Sequence, residues 1–129
     1  MTTSYRKRAQ RGYRFLASDE GKRLGFNVHL LNSDMLELSD ACNCALGETF
    51  EGGSYWDAAE RLADEGYPVI TMDDALLSEV SFDVRPTYTW EREHGFILAG
   101  GDPSTPQEYT KLTEAWREVI KEERDRDRP

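Results

Sequence analysis

The tightest constraint on this chain lies near its end. Residues 100–106, GGDPSTP, form a linker of turn-forming residues. Thr105 is placed to cap a helix and Pro106 to open it, because a first-turn proline loses no hydrogen bond. Tyr109, Leu112, Trp116, Val119 and Ile120 then recur at helical spacing to about Glu123. That helix would be about 27 Å long at 1.5 Å per residue. A stripe of that size, carrying a tryptophan, has to be covered, so the remaining sequence must supply a matching apolar face.

The sequence offers several. Residues 5–17 place Ala9, Tyr13 and Leu16 on one side of a predicted helix, with Arg and Lys around the rest. Ser18-Asp19-Glu20-Gly21 is expected to close it in a turn. Residues 54–65 form the best-defined helix in the middle: Ser54 caps, Asp57 offers a capping-box partner, and Tyr55, Ala58, Ala59 and Leu62 make the buried stripe. Gly66 follows where a left-handed cap belongs. Residues 26–38 fit neither period and are read as a helical turn followed by an extended piece. Residues 67–72, YPVITM, are β-prone, residues 72–80 are read as a short helix, and Pro86 makes residues 81–89 a loop or edge strand. One helical turn is expected at 89–94, closed by Gly95.

These elements predict a mainly α fold: a single domain over residues 1–129, a bundle of four to five helices with at most one short β pair. The expected core is Tyr13, Leu16, Leu46, Phe50, Trp56, Leu62, Phe96, Leu112, Trp116, Val119 and Ile120. Residues 122–129 are expected to fray. Three Trp, six Tyr and five Phe supply enough bulky apolar surface to order a chain in which 32% of residues are charged.

Charge is distributed unevenly over a total of −9. Residues 1–30 carry seven basic and two acidic side chains, whereas residues 31–110 carry three and seventeen. The acidic middle argues against a nucleic-acid partner, since phosphate contacts need Lys or Arg. The basic helix within residues 1–20 either pairs with the chain's own acids or stands peripheral to the body and meets an anionic partner. No apolar run reaches the roughly 18 residues of a membrane span, and the basic N-terminus lacks an apolar export segment. A cytoplasmic location with reduced thiols is therefore expected.

The two cysteines, Cys42 and Cys44, sit in residues 36–50, LELSDACNCALGETF. Ser39 and Asp40 are suited to start a helix from Asp40 to about Thr49. In such a helix Cys42 occupies the third position, where the dipole lowers a thiol's pKa. Residues two apart on a helix point about 200° from each other, so the pair could share a metal only if the segment were extended. Both thiols are otherwise read as small buried apolar groups beside Leu46 and Phe50. Adding His29 and His94 gives a Cys₂His₂ set chemically fit for zinc, with spacing unlike that of known zinc sites. His94 reads more simply as a cation at a helix C-terminus. A Cys/His nucleophile oriented by Asp40 or Glu48 has no local support, and Asp73-Asp74 or Glu91/Glu93 as a cation site is weaker than a solvated acidic face. Phosphate-loop, dinucleotide and GxSxG motifs are absent from the sequence.

Residues 38–62, LSDACNCALGETFEGGSYWDAAERL, with His94-Gly95-Phe96 and residues 108–120, EYTKLTEAWREVI, resemble a group of small proteins of actinobacterial phages and their hosts. The shared order is Cys-x-Cys-x-Leu-Gly, an aromatic pair, an HGF-like step and a Trp-bearing amphipathic helix. The resemblance covers about half of the chain and leaves out the basic N-terminal helix and residues 67–90. It carries no activity or catalytic residue. It implies an accessory role in host cytoplasm, with a host or phage protein as partner. The function read from the sequence is therefore non-enzymatic protein–protein interaction, in which acids such as Asp57, Glu60 and Asp64 could take part. The alternative is a Cys-x-Cys metal-binding or redox-linked module.

Overall fold

A computed structural model describes residues 4–38, 44–50, 53–67, 69, 89–98 and 105–126. Among these residues six helices follow in order: α1 (Tyr5–Ala17), α2 (Asp19–Leu24), α3 (Ala45–Thr49), α4 (Tyr55–Asp64), α5 (Thr89–Glu93) and α6 (Pro106–Arg126). A 3₁₀ turn, Val28–Leu30, lies between α2 and α3. The chain is mainly helical, as its periodicity predicts. Among the described residues there is no strand, only an isolated antiparallel bridge between Phe26 and Phe50.

Serines set the helix starts. The Lys7 amide donates to Ser4 Oγ at the head of α1, and the Trp56 amide donates to Ser54 Oγ at the head of α4. Ser18 does two jobs: its own amide donates to Phe15 O, ending α1, while its Oγ accepts from Gly21 N, starting α2. The expected turn at residues 18–21 is thus a helix junction. Thr105 begins α6 as predicted, with Oγ1 accepting from the Glu108 amide. Helix α6 runs through Arg126, so residues 122–126 are helical and not frayed. They are anchored: Glu123 is buried, and Arg124 donates to the carbonyl of Leu31.

The core is built on α1 against α6. Ala9, Tyr13 and Leu16 are buried with Leu112, Trp116, Val119 and Ile120. The two helices meet closely at Gly12, where a Cβ would come within 2.6 Å of the Trp116 ring and strike the His94 carbonyl. Trp116 Nε1 donates to Gly95 O at 2.7 Å, so the one polar atom of this buried ring is satisfied. Phe50 and Trp56, expected in the core, are only partly buried, while Leu24, Phe26, Leu31, Leu36 and Leu38 join it.

Helices α2, α4 and α5 end alike. In each, the amide of a glycine and that of the aromatic residue after it turn back on the last carbonyls. Phe26 N donates to Gly21 O, Tyr67 N to Leu62 O and Phe96 N to Glu91 O. Gly25, Gly66 and Gly95 take positive φ at these ends, at 104°, 90° and 69°. The motif throws the following ring inward. Phe26, Tyr67 and Phe96 accordingly join a continuous aromatic network through Phe15 and Trp90, whose ring centroids are 5.1 Å apart and nearly perpendicular.

The basic N-terminal helix is packed into the body. Arg6 bridges Glu118 and Glu122, and Arg14 approaches Glu123 at 3.6 Å. Arg8 is fully buried, with its guanidinium over the Tyr5 ring. The acids that answer this helix come mainly from α6, with Glu108 accepting from the Tyr5 hydroxyl at 2.6 Å.

Candidate functional site

Helix α3 is five residues long and begins at Ala45, not at Asp40. Its cap is Cys44, whose Sγ accepts from the Gly47 amide at 3.3 Å. Thr49 closes the turn by donating its hydroxyl to Ala45 O at 2.7 Å. The thiol is buried, and burial pushes its pKa up to about 11, with the charge of Glu91 adding to the rise. Donation from Gly47 pulls the other way and does not prevail. Cys44 is therefore a protonated thiol at neutral pH, the opposite of the activated thiolate that a dipole-exposed position would give. Ser39, Asp40 and Cys42 lie outside the described residues.

Near Cys44 stands a buried polar pair that sequence reasoning did not assemble. The Tyr55 hydroxyl donates to Glu91 Oε2 at 2.5 Å, and Glu91 has no exposed surface. Burial first, then the neighbouring carboxylate, holds the Tyr55 phenol well above its ordinary pKa. Cys44, Tyr55, Tyr109 and Glu91 are close enough to influence one another's protonation. The sequence pairs Glu91 with Glu93 on a solvated acidic face, but the two part company, Glu93 exposed and Glu91 interior. A carboxylate inside a protein needs a donor, and Tyr55, 36 residues away in sequence, supplies one.

The histidines occupy unlike places. His29 is on the exposed surface of the 3₁₀ turn, its amide donating to Asn27 Oδ1. His94 is half-buried and stacks on Trp90 with centroids 4.4 Å apart. Its Nδ1 lies 2.7 Å from Trp90 O, and because a carbonyl only accepts, Nδ1 carries the ring proton. Burial lowers its pKa, and Arg11 lowers it further. The expected cation at a helix terminus is thus a neutral ring in an aromatic stack. Cys44 in the core and His29 at the surface do not share an environment. Among the described residues no group of three or more His, Cys, Asp or Glu could hold a metal ion.

The surface carries a different feature. An open groove runs along α6, lined by Ser33, Asp34, Arg117, Ile120, Lys121, Arg124 and Asp125. Its far wall is the turn at residues 32–36, where Asn32 Oδ1 accepts from Asp34 N and Asn32 O from Leu36 N. Arg117 Nε donates to Ser33 O at 2.7 Å, and its other arm reaches Leu36 O at 3.2 Å. Arg124 holds the same wall through Leu31 O. Leu30 and Met35 are the exposed large hydrophobic residues of the described chain, at 53% and 59% exposure, and Met35 follows Asp34 of the groove wall in sequence. The sequence held a signal for this place: Arg117, Lys121 and Arg124 recur at i, i+4 and i+7.

Comparison with protein-family models, curated proteins and solved structures finds no match to this chain. Among the described residues no helix is long and apolar enough to cross a membrane.

Proposed function

We propose that the protein is a non-enzymatic accessory factor that acts by binding another protein through the segment carrying the exposed Leu30 and Met35. The setting is the cytoplasm of an actinobacterial host, as the Cys-x-Cys-x-Leu-Gly resemblance implies. The observation that carries this reading is the exposure of two large apolar side chains, Leu30 and Met35, on the segment whose Ser33 and Asp34 line the α6 groove. Single surface hydrophobics are ordinary, but large ones concentrated on one short segment are a frequent mark of a contact site. The buried groups support it from the other side. Cys44 serves as a helix cap and Glu91 as the acceptor for Tyr55, so their chemistry is engaged in holding the fold.

The test is affinity capture from actinobacterial lysate with three baits: the native chain, a Leu30→Glu/Met35→Glu variant, and a variant neutralising Asp57, Glu60 and Asp64 on α4. All five positions are exposed, so each bait should fold. A partner enriched by the native chain and lost with the Leu30/Met35 variant is the expected result. Retention by that variant, with loss on neutralising the α4 acids, would move the binding face to α4. Equal retention by all three baits would sink the surface reading.

A further inference from the structure

Resting on that reading for what it regulates, we infer that Glu48, Asn32 and Arg124 form a proton-operated tether on the segment that carries Leu30 and Met35. The peptide unit joining Leu31 to Asn32 is held at both ends. Arg124, in the last turn of α6, donates to its carbonyl, and its N–H donates to the carboxylate of Glu48 on α3. In a trans peptide the two groups point in opposite directions, so this unit lies with its dipole between a cation and an anion. Hydrogen bonds to charged groups are roughly twice as strong as neutral ones, so both grips are of the strong kind. Asn32 is also the hub of its turn. Its Oδ1 accepts from the Asp34 amide, and its carbonyl accepts from the amides of Met35 and Leu36. Fixing this one peptide therefore fixes the turn that presents Met35 and the residue that follows Leu30.

The anion is not the state that its surroundings favour. Glu48 Oε1 is buried and has no hydrogen-bond partner among the described residues. A carboxylate oxygen sealed from water without a donor disfavours the charged form. Burial accordingly pushes Glu48 above the ordinary 4.5, and the Asn32 amide and Arg124, which favour the anion, do not cancel it. Arg124 is the charged side chain that acts on Glu48 among the described residues; α4 and the 3₁₀ turn, also packed on α3, bring no charge to bear on it. Protonation relieves the buried charge and weakens the grip on the Asn32 N–H, leaving the peptide held firmly on the Arg124 side alone. Relative to the unfolded chain the native state binds this proton more readily, so stability falls as pH rises from 4.5 through the folded value. The charged tether thus trades stability for a fixed turn, and a fixed turn loses less freedom when it binds.

The experiment is an NMR pH titration of the full chain and of Glu48→Gln, with urea unfolding and amide exchange at neutral pH. The Glu48 carboxyl carbon should titrate above 4.5, and the Asn32, Met35 and Leu36 amides should shift with the same midpoint. Glu48→Gln should abolish that shared shift. At neutral pH it should also raise the urea midpoint while the Asn32 amide exchanges about fivefold faster. A glutamate with a purely structural role would not combine a stabler fold with a looser turn. Arg124→Met removes the charge that favours the anion and should move the Glu48 midpoint further up. A Glu48 midpoint at or below 4.5, turn amides that do not follow it, or unchanged Asn32 exchange in Glu48→Gln overturns the tether. None of these readouts needs a partner. A lysate partner retained by the Leu30/Met35 variant would remove the interaction reading and leave the tether standing. A partner lost with that variant but bound as tightly by Glu48→Gln as by the native chain would keep the interaction reading and overturn its regulation by Glu48.

Discussion

At the scale of single residues, Cys44 is the most informative position. Its sulfur replaces the oxygen that a helix cap normally supplies. Cys44→Ala should cost about 1 kcal/mol in urea unfolding through loss of the cap, and Cys44→Ser should cost less. The same thiol gives a pH signature. An unfolded cysteine loses its proton near 9.0, while the folded one holds it to about 11. Between those values the native state binds more protons than the unfolded state, so stability falls as pH rises, at about 1.4 kcal/mol per unit at most. Below pH 9 this contribution is flat. Cys44→Ser should delay the fall until Tyr55 begins to contribute, above the ordinary phenol value of 10.0. A variant whose alkaline stability curve matches the native one would refute the account. None of this was legible in the sequence, because Ser39 is the better capping residue by type and thiol caps have no composition signal. Glu91 was equally hidden. Its burial depends on a tyrosine from another helix, and local patterns do not report such distant pairs.

At the scale of elements, the sequence was most readable where local signals agreed. Helix α1 has the predicted bounds because Ser4, the Ala9/Tyr13/Leu16 stripe and Ser18 agree. Helix α4 shows its predicted stripe for the same reason. Residues 31–38 were unreadable: their leucines are buried by long-range anchors, such as Leu38 N donating to Thr113 Oγ1 across 75 residues. The glycine-aromatic helix ends make a graded prediction. Gly66→Ala meets no atom within 4 Å and carries only the left-handed strain, about 1 kcal/mol. Gly95→Ala adds a Cβ 2.9 Å from Ala9 N and Arg8 C, backbone atoms that cannot step aside, and should cost about 1–3 kcal/mol more. Gly12→Ala, with ordinary φ but the Trp116 ring in its way, belongs with Gly95 in severity. Thermal melts of the three variants should rank Gly66→Ala as mildest; any other order would mean that packing at α1–α6 is looser than described.

For the whole molecule, the decisive contact is between the first helix and the last. Tyr13 and Leu16 on one side and Trp116, Val119 and Ile120 on the other are buried against a shared core. A fully buried side chain of this size contributes about 1.5–3 kcal/mol, and a domain's net stability is about 5–15 kcal/mol. Removing residues 1–17 should therefore abolish cooperative unfolding and not merely lower the melting temperature. Near-ultraviolet circular dichroism would read this directly, since Trp116 is held rigidly by its bond to Gly95. A truncated chain with a native near-ultraviolet spectrum would show that α1 is dispensable. The amphipathic final helix announced in the sequence that it needed a cover. Its partner was not identifiable from the stripe alone, because the stripes of α1 and α4 are equally suitable in pattern.

That closure has a consequence for how the protein is made. Tyr5 and the Glu108 to which it donates are separated by 103 residues. At about 5–20 residues per second of translation, helix α1 is synthesised roughly 5–20 s before its partner. During that interval Ala9, Tyr13 and Leu16 present an open apolar face, and the nascent chain is exposed to chaperones until α6 covers it.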